Sequence, residues 1–193
     1  ISVKTTIISP DGKQVAQKSA DIAIENGSGK AVQEFDIENP SLWDIDSPKL
    51  YTAKTQILAD GKPVDEYFSR FGVRSISYDR DGGFKLNGKK TIFKGVCMHH
   101  DLGPIGAAFN VSAARRQVEI LKEMGANAIR TSHNPPSPAL LDICDELGML
   151  VQVEAFDEWK MPKCENGYNK LFDKWAKKDL EAMIRRDRNH PCA

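Results

Sequence analysis

The sequence has no apolar run approaching the roughly 20 residues that a membrane-spanning helix needs, so none of that kind is expected. It has no CxxC pair either. Its four cysteines, Cys97, Cys144, Cys164 and Cys192, are widely separated, which speaks against a compact thiolate metal site and leaves the redox compartment open. Cys97 and Cys144 stand in apolar surroundings and are expected to be buried thiols. Charge of one sign is also missing: 27 basic and 27 acidic side chains cancel, so no long-range field attracts nucleic acid or an anionic membrane surface. There is no initiator Met, and Ile1-Ser2-Val3-Lys4 has no signal-peptide form. Upstream sequence, with any targeting segment, is therefore expected to precede residue 1. Localisation stays open between periplasmic, secreted and cytoplasmic.

What is present is enough chain, 193 residues with 40% hydrophobic content, for one ample core or two modest ones. The first 75 residues alternate as strands do. Val3, Thr5 and Ile7 share one face of Ser2 to Ile8, which runs into the turn Ser9-Pro10-Asp11-Gly12. Val15, Ile22, Ile24, Val32, Phe35 and Ile37 continue in short alternating runs, with polar breaks such as 25–29. Leu50 to Leu58 is a half-buried strand that Asp60-Gly61 turns back into Val64 to Phe71. Short strands at this spacing imply an antiparallel sandwich over residues 1–75. Leu42, Trp43 and Tyr51 are expected to pack as an aromatic plug, in preference to forming a sugar-stacking platform.

A domain boundary is placed at 75–83, where the chain is polar and expected to be flexible. Phe84 to Phe93 then reads as a hairpin with an Asn87-Gly88 type I′ turn, and the periodicity changes. Ile92 to Met98 is an apolar strand ending in His99-His100-Asp101. Val111, Ala114, Val118 and Leu121 lie at helical spacing, with Gly125 as the stop. A strand at 128–131 follows, then a helix capped by Ser137, with Pro138 at its first position and Gly148 at its end. Leu150, Val151 and Val153 form a third strand, and Ala176, Leu180, Met183 and Ile184 mark a third helix. This alternation is a parallel α/β arrangement over residues 76–193.

Each parallel strand delivers polar residues at its carboxyl end: His99 from the first, Arg130 and His133 from the second, Glu154 and Asp157-Glu158 from the third. In parallel α/β folds that rim carries the binding groups. Taken singly, Arg130 could pair with a core carboxylate and His133 could cap a turn. His100 is expected to face away from His99, because neighbours on a strand point to opposite sides. The same alternation counts against a metal-dependent hydrolase, which would need His-x-His. The basic face Lys174, Lys177, Lys178, Arg185, Arg186 and Arg188 is expected to be solvated exterior.

The motifs Phe71-Gly72-Val73-Arg74, Asn87-Gly88-Lys89, Gly95-Val96-Cys97-Met98-His99, Asn127 to Pro135 and Arg186-Asp187-Arg188-Asn189-His190-Pro191 resemble glycoside hydrolase family 2, in order and along essentially the whole chain. That family includes β-galactosidases, β-glucuronidases and β-mannosidases, and Glu154 to Trp159 is most similar to the galactosidase type. The resemblance implies an immunoglobulin-like β-sandwich followed by the first three βα units of a (β/α)₈ barrel. A whole barrel takes about 250 residues, whereas residues 90–193 supply 193 − 89 = 104. It further implies a retaining exo-β-glycosidase using two glutamates about 5 Å apart. Both glutamates are expected after Ala193, so the piece alone is expected to be inactive.

By the same resemblance, Arg130 matches an arginine that hydrogen-bonds the nucleophile carboxylate. His99 and His133 match histidines on sugar hydroxyls, Asn134 lies in the same loop, and Glu154 matches an acidic position of unassigned role. Some members bind magnesium through Glu-x-His; this chain has Glu158-Trp159-Lys160, and lysine cannot supply that ligand. No cofactor is expected with certainty. The expected partners are a carbohydrate substrate and missing domains of the same chain, with a homo-oligomer left open. The alternative is a non-catalytic carbohydrate-binding or scaffold module.

Overall fold

The computed structural model describes residues 1–193 and divides into two compact units. One comprises Ile1–Trp43 with Lys49–Val73, the other Asp44–Pro48 with Arg74–Ala193.

The first unit is built on four antiparallel strands, β1 (Ser2–Ile8), β2 (Gln14–Asp21), β3 (Tyr51–Ala59) and β4 (Lys62–Phe71), in the order β2-β1-β3-β4. Its tight turns follow from local chemistry. Gly12 supplies a positive φ of 81° after Ser9-Pro10-Asp11, and Asp60 and Gly61 both take positive φ, 51° and 75°, as a type I′ hairpin turn requires. Val3, Thr5 and Ile7 are buried, as their alternation implies. Trp43 is fully buried, and Tyr51 stacks on Phe71 with ring centroids 5.5 Å apart. The Tyr51 hydroxyl accepts from the Ser41 backbone N–H at 2.8 Å. Trp43 and Tyr51 are therefore packed and form no exposed platform, whereas Leu42, expected with them, is 44% exposed.

Residues 22–50 differ from the expected succession of strands. They form no ladder, only the bridges Glu25 with Ser28 and Leu42 with Val73, and Val32 is 74% exposed. Their apolar residues are separated by stretches such as 25–29 that favour turns. A strand persists only where a neighbour completes its hydrogen bonds.

In the second unit, β5 (Ile76–Asp79), β6 (Gly83–Leu86) and β7 (Lys89–Lys90) form an antiparallel sheet in sequence order. The stretch 78–83, expected to be polar and flexible, runs from the end of β5 through a turn into β6. The Asp79 carboxylate accepts from the N–H groups of Asp81 and Gly82, both at 2.9 Å, and so reproduces a turn with its side chain. Asn87 and Gly88, with φ of 51° and 78°, make the expected type I′ turn.

Three parallel strands follow, β8 (Gly95–Met98), β9 (Ala128–Thr131) and β10 (Leu150–Gln152), in the order β10-β9-β8. They alternate with α1 (Val111–Glu123), α2 (Pro138–Leu147) and α3 (Phe172–Asp187). Helix α1 starts at Asn110, whose side chain accepts from the Ala113 N–H. Helix α2 ends at Gly148 in the left-handed conformation. Ser137 does precede α2, but its hydroxyl makes no cap bond. Its carbonyl accepts from Leu140 instead, and Pro138 needs no partner for a missing N–H. Ala114, Val118, Leu141, Ile143, Cys144, Ile129, Leu150 and Val151 are buried together with Met149 as the core. Helix α3 forms where Ala176, Leu180, Met183 and Ile184 mark it, but Leu180 and Ile184 are exposed and only Asp187 is buried.

Candidate active site

The central strand sets the geometry. β9 lies between β8 and β10, and the register places Cys97 and Gln152 on either side of Arg130. Partner residues share a sheet face, so Cys97 and Arg130 are neighbours by backbone placement. Beyond β9 the chain continues through the cis Ser132–His133 peptide, with the Ser132 N–H donating to the Met98 carbonyl at 2.9 Å. Beyond β10, the Glu154 N–H donates to the buried Thr131 hydroxyl at 3.0 Å. Both loop segments are thus tied to the neighbouring strand just where their functional side chains depart.

Those side chains meet. Arg130 Nε donates to Glu154 Oε1, and the other carboxylate oxygen, Oε2, lies 2.7 Å from His133 Nδ1. Arg130 NH2 is 3.3 Å from the same His133 nitrogen, and NH1 donates to Cys97 Sγ at 3.4 Å. The His99 ring stands edge-on to His133 at a centroid distance of 5.3 Å. The Glu154 side chain is 19% exposed. Desolvation pushes its pKa up, but hydrogen bonds from His133 and Arg130 outweigh this and hold the carboxyl below its ordinary value. Hydrogen bonds to Cys97 and Glu154 favour the charged guanidinium of Arg130.

Of the residues singled out from the sequence, Arg130, His133 and Glu154 form one hydrogen-bonded cluster, and His99 contacts it through its ring. Asn134 is exposed and joins none of these bonds. The simple reading of Arg130 as partner to a carboxylate holds as well, since Glu154 is that partner. His133 turns to Glu154, not to a turn.

His100 makes none of these contacts. It lines a hollow of about 200 Å³ together with His99, Asp101, Phe109 and Pro135. Both histidines lie past the end of β8, where strand alternation no longer separates them.

Cys97 is a correction, and the site residue that sequence reasoning missed. It is exposed, not buried, and so is its register partner Arg130 on the central strand, 39% exposed, because the sheet face they share is not covered within residues 1–193. The signal available in the sequence was its position two residues before His99. Cys144 is buried as expected.

The β10–α3 loop is organised by Glu158, which is 4% exposed. One of its oxygens accepts from Lys163 N–H at 2.6 Å and the other from Asn169 N–H at 3.0 Å. These backbone donors keep its pKa low against desolvation. Gly167 is required beside it, because a Cβ there would come within 1.5 Å of Glu158 Oε1. Glu158 thus serves as a loop anchor.

The stretch Arg186 to Pro191 is a clasp. Arg186 pairs with Asp187 and donates to the Pro136 carbonyl at 2.9 Å, steadying the loop that carries His133. Arg186 makes these bonds while still 39% exposed, as its place on the basic face implies. His190 Nδ1 lies 2.6 Å from Asp145 Oδ2, and Asp145 Oδ1 accepts from Cys192 N–H at 3.0 Å. Asp142, Asp145 and His190 present donor atoms within 4.8 Å of one another, a spacing a metal ion could use. Both Asp145 oxygens already have protein donors, which fits a structural clasp.

Comparison with known proteins aligns with this geometry. A family model described as "Glycosyl hydrolases family 2, TIM barrel domain" matches residues 79–193, and one described as "Glycosyl hydrolases family 2" matches residues 1–74. The chain is 45% identical to Beta-galactosidase BoGH2A of Bacteroides ovatus, over 99% of this chain and 23% of that protein. It is 41% identical to a putative beta-glucuronidase of Formosa agariphila, over 96% of this chain and 18% of that protein. Among solved structures, a family 2 glycosyl hydrolase from Bacteroides cellulosilyticus superposes with a TM-score of 0.91 at 43% identity, covering 99% of this chain and 25% of the other. The chain therefore spans about a quarter or less of the length of these relatives.

Proposed function

This chain belongs to glycosyl hydrolase family 2, and from that premise we propose that it is part of a retaining exo-β-glycosidase, with terminal β-galactosides as the preferred substrates. The observation that carries the reading is the interlocked Arg130, His133 and Glu154 at the carboxyl ends of adjacent parallel strands, with His99 against His133. In this reading the three βα units are the start of a (β/α)₈ barrel, preceded by a sandwich over residues 1–75. The nucleophile and the acid/base glutamate come from outside residues 1–193. Arg130 faces the nucleophile and keeps it ionised, since a fixed cation favours the charged carboxylate. His99 and His133 hold sugar hydroxyls, Asn134 assists from the same loop, and Glu154 orients both Arg130 and His133. Orientation matters because the covalent route requires the attacking carboxylate in line with the anomeric carbon, with the second carboxyl about 5 Å away.

The test is hydrolysis of aryl β-galactoside and aryl β-glucuronide by the full polypeptide that carries these residues, and by residues 1–193 alone. The full polypeptide is expected to release the galactoside's aglycone faster, with retained anomeric configuration, and the piece to release none. Preference for the glucuronide would support the second reading, which similarity to the Formosa agariphila protein favours. Turnover by the piece alone would overturn the assignment of roles. Galactose binding without any turnover by the full polypeptide would point to a carbohydrate-binding module.

A further inference from the structure

Resting on the reading above, we propose that Cys97 is a positioning residue of the active site, which fixes the plane of the Arg130 guanidinium by accepting its NH1 hydrogen bond. Arg130 is a long, flexible side chain and its group is planar, so one contact at Nε leaves the plane free to pivot about that contact. Glu154 and His133 both act from the Nε and NH2 side. The contact to Cys97 Sγ, at 3.4 Å, is the one from the opposite side, and it comes from a different strand, β8. The three contacts together hold the guanidinium from β8, from the loop after β9 and from the segment after β10.

The placement of the sulfur is dictated by the fold. Cys97 is the register partner of Arg130, and close approach of the two strands is secured by Gly95, where a Cβ would lie 1.7 Å from the Ala128 carbonyl oxygen. A second feature points the same way. The Ser132 hydroxyl is buried and has no partner of good geometry. It lies beside the Cys97 sulfur, whose thiolate it favours along with Arg130. Facing the thiol are therefore Arg130 from β9 and Glu154 beyond β10, with His133 in the adjoining loop and His99 on its own segment. Arg130 and Ser132 draw the thiol pKa down, and the Glu154 charge opposes them. A neutral thiol is a weak acceptor and a thiolate a strong one, so the grip on Arg130 tightens as Cys97 loses its proton.

The experiment uses the full polypeptide with Cys97→Ala, Cys97→Ser and Arg130→Met. In turnover of an aryl β-glycoside, Cys97→Ala is expected to lower kcat about tenfold with KM changed less than twofold, the pattern of lost orientation. Cys97→Ser, which keeps a small acceptor, is expected to stay within about threefold of wild type. Both should change the shape of the pH profile. A readout independent of turnover is the thiolate absorbance of Cys97 against pH, taken as the difference between a protein and its Cys97→Ser counterpart. Its midpoint is expected to lie below that of an ordinary thiol and to rise in Arg130→Met. An unchanged midpoint in Arg130→Met would overturn the proposal, as would wild-type kcat and pH profile in Cys97→Ala. Absence of turnover in every form, with the midpoint shift intact, would count against the glycosidase reading and leave the Cys97–Arg130 contact standing.

Discussion

Replacing Asp145 by Ala tests the clasp that holds the Arg186 to Pro191 stretch against α2. The Asp145 side chain is 6% exposed and that of His190 15%, so solvent replaces little of what is lost. Deletion removes a charge-assisted hydrogen bond to His190, valued at about 1.5–3 kcal/mol, and strands the buried Cys192 N–H at a further 1–3 kcal/mol. The sum, about 2.5–6 kcal/mol, is centred on the roughly 3–5 kcal/mol for breaking one side of a buried ion pair. The loss propagates, because the Cys192 carbonyl accepts from Val151 N–H in β10 at 2.7 Å. With a urea dependence of about 2 kcal/mol per molar, the midpoint should fall by roughly 1.5–2.5 M. Helical circular dichroism is the appropriate probe, since α1, α2 and α3 all belong to the unit containing Asp145.

The pH dependence gives an independent check on the same pair. Burial pushes the His190 pKa down from 6.5, but Asp145, followed by Asp142 and Asp187, raises it above that value overall. A raised folded pKa stabilises fully below about 6.5 and less as pH rises through the folded value. Wild type should therefore lose stability as pH rises from about 6.5 through the raised folded value, and Asp145→Ala should lack that loss. A variant midpoint within about 0.3 M of wild type, or an unchanged alkaline slope, would refute the reasoning.

Two further substitutions probe the sheet and the site. Gly95→Ala places a Cβ 1.7 Å from the Ala128 carbonyl oxygen, a backbone atom that cannot step aside. Separation of β8 from β9 should cost about 1–3 kcal/mol or more and raise hydrogen exchange at the Ser132 amide, which bonds to Met98. Glu154→Gln weakens the bonds from Arg130 and His133, but both are about a third exposed, so the loss should be small, about 1 kcal/mol or less at neutral pH. Because the folded pKa of Glu154 is depressed, wild type should surrender this advantage as pH falls through that folded value, below about 4.5. Urea midpoints of the two proteins should converge there; a constant gap at all pH values would contradict the assignment.

The parts of the molecule governed by short-range rules were legible from residue order alone. Asp60-Gly61 and Asn87-Gly88 specify type I′ turns because both central residues tolerate positive φ. Gly125, Pro138 and Gly148 stand at the ends of helices α1 and α2, whose apolar faces recur at 3.6-residue spacing. The convergence of His99, Arg130, His133 and Glu154 was legible too, because parallel strands deliver their last residues to a common rim. Tertiary structure decided what spacing does not encode. Residues 22–50 alternate yet form no ladder, since strand formation depends on a partner that lies elsewhere in the chain. Cys97 looked like core and is exposed, because whether a sheet face is covered depends on segments that local pattern does not name. Glu154 joining Arg130 to His133, and Arg186 reaching back to the Pro136 carbonyl, link residues whose separation in sequence carries no period. A local pattern sets the direction in which a side chain leaves the backbone; only the packed strands determine what it meets there.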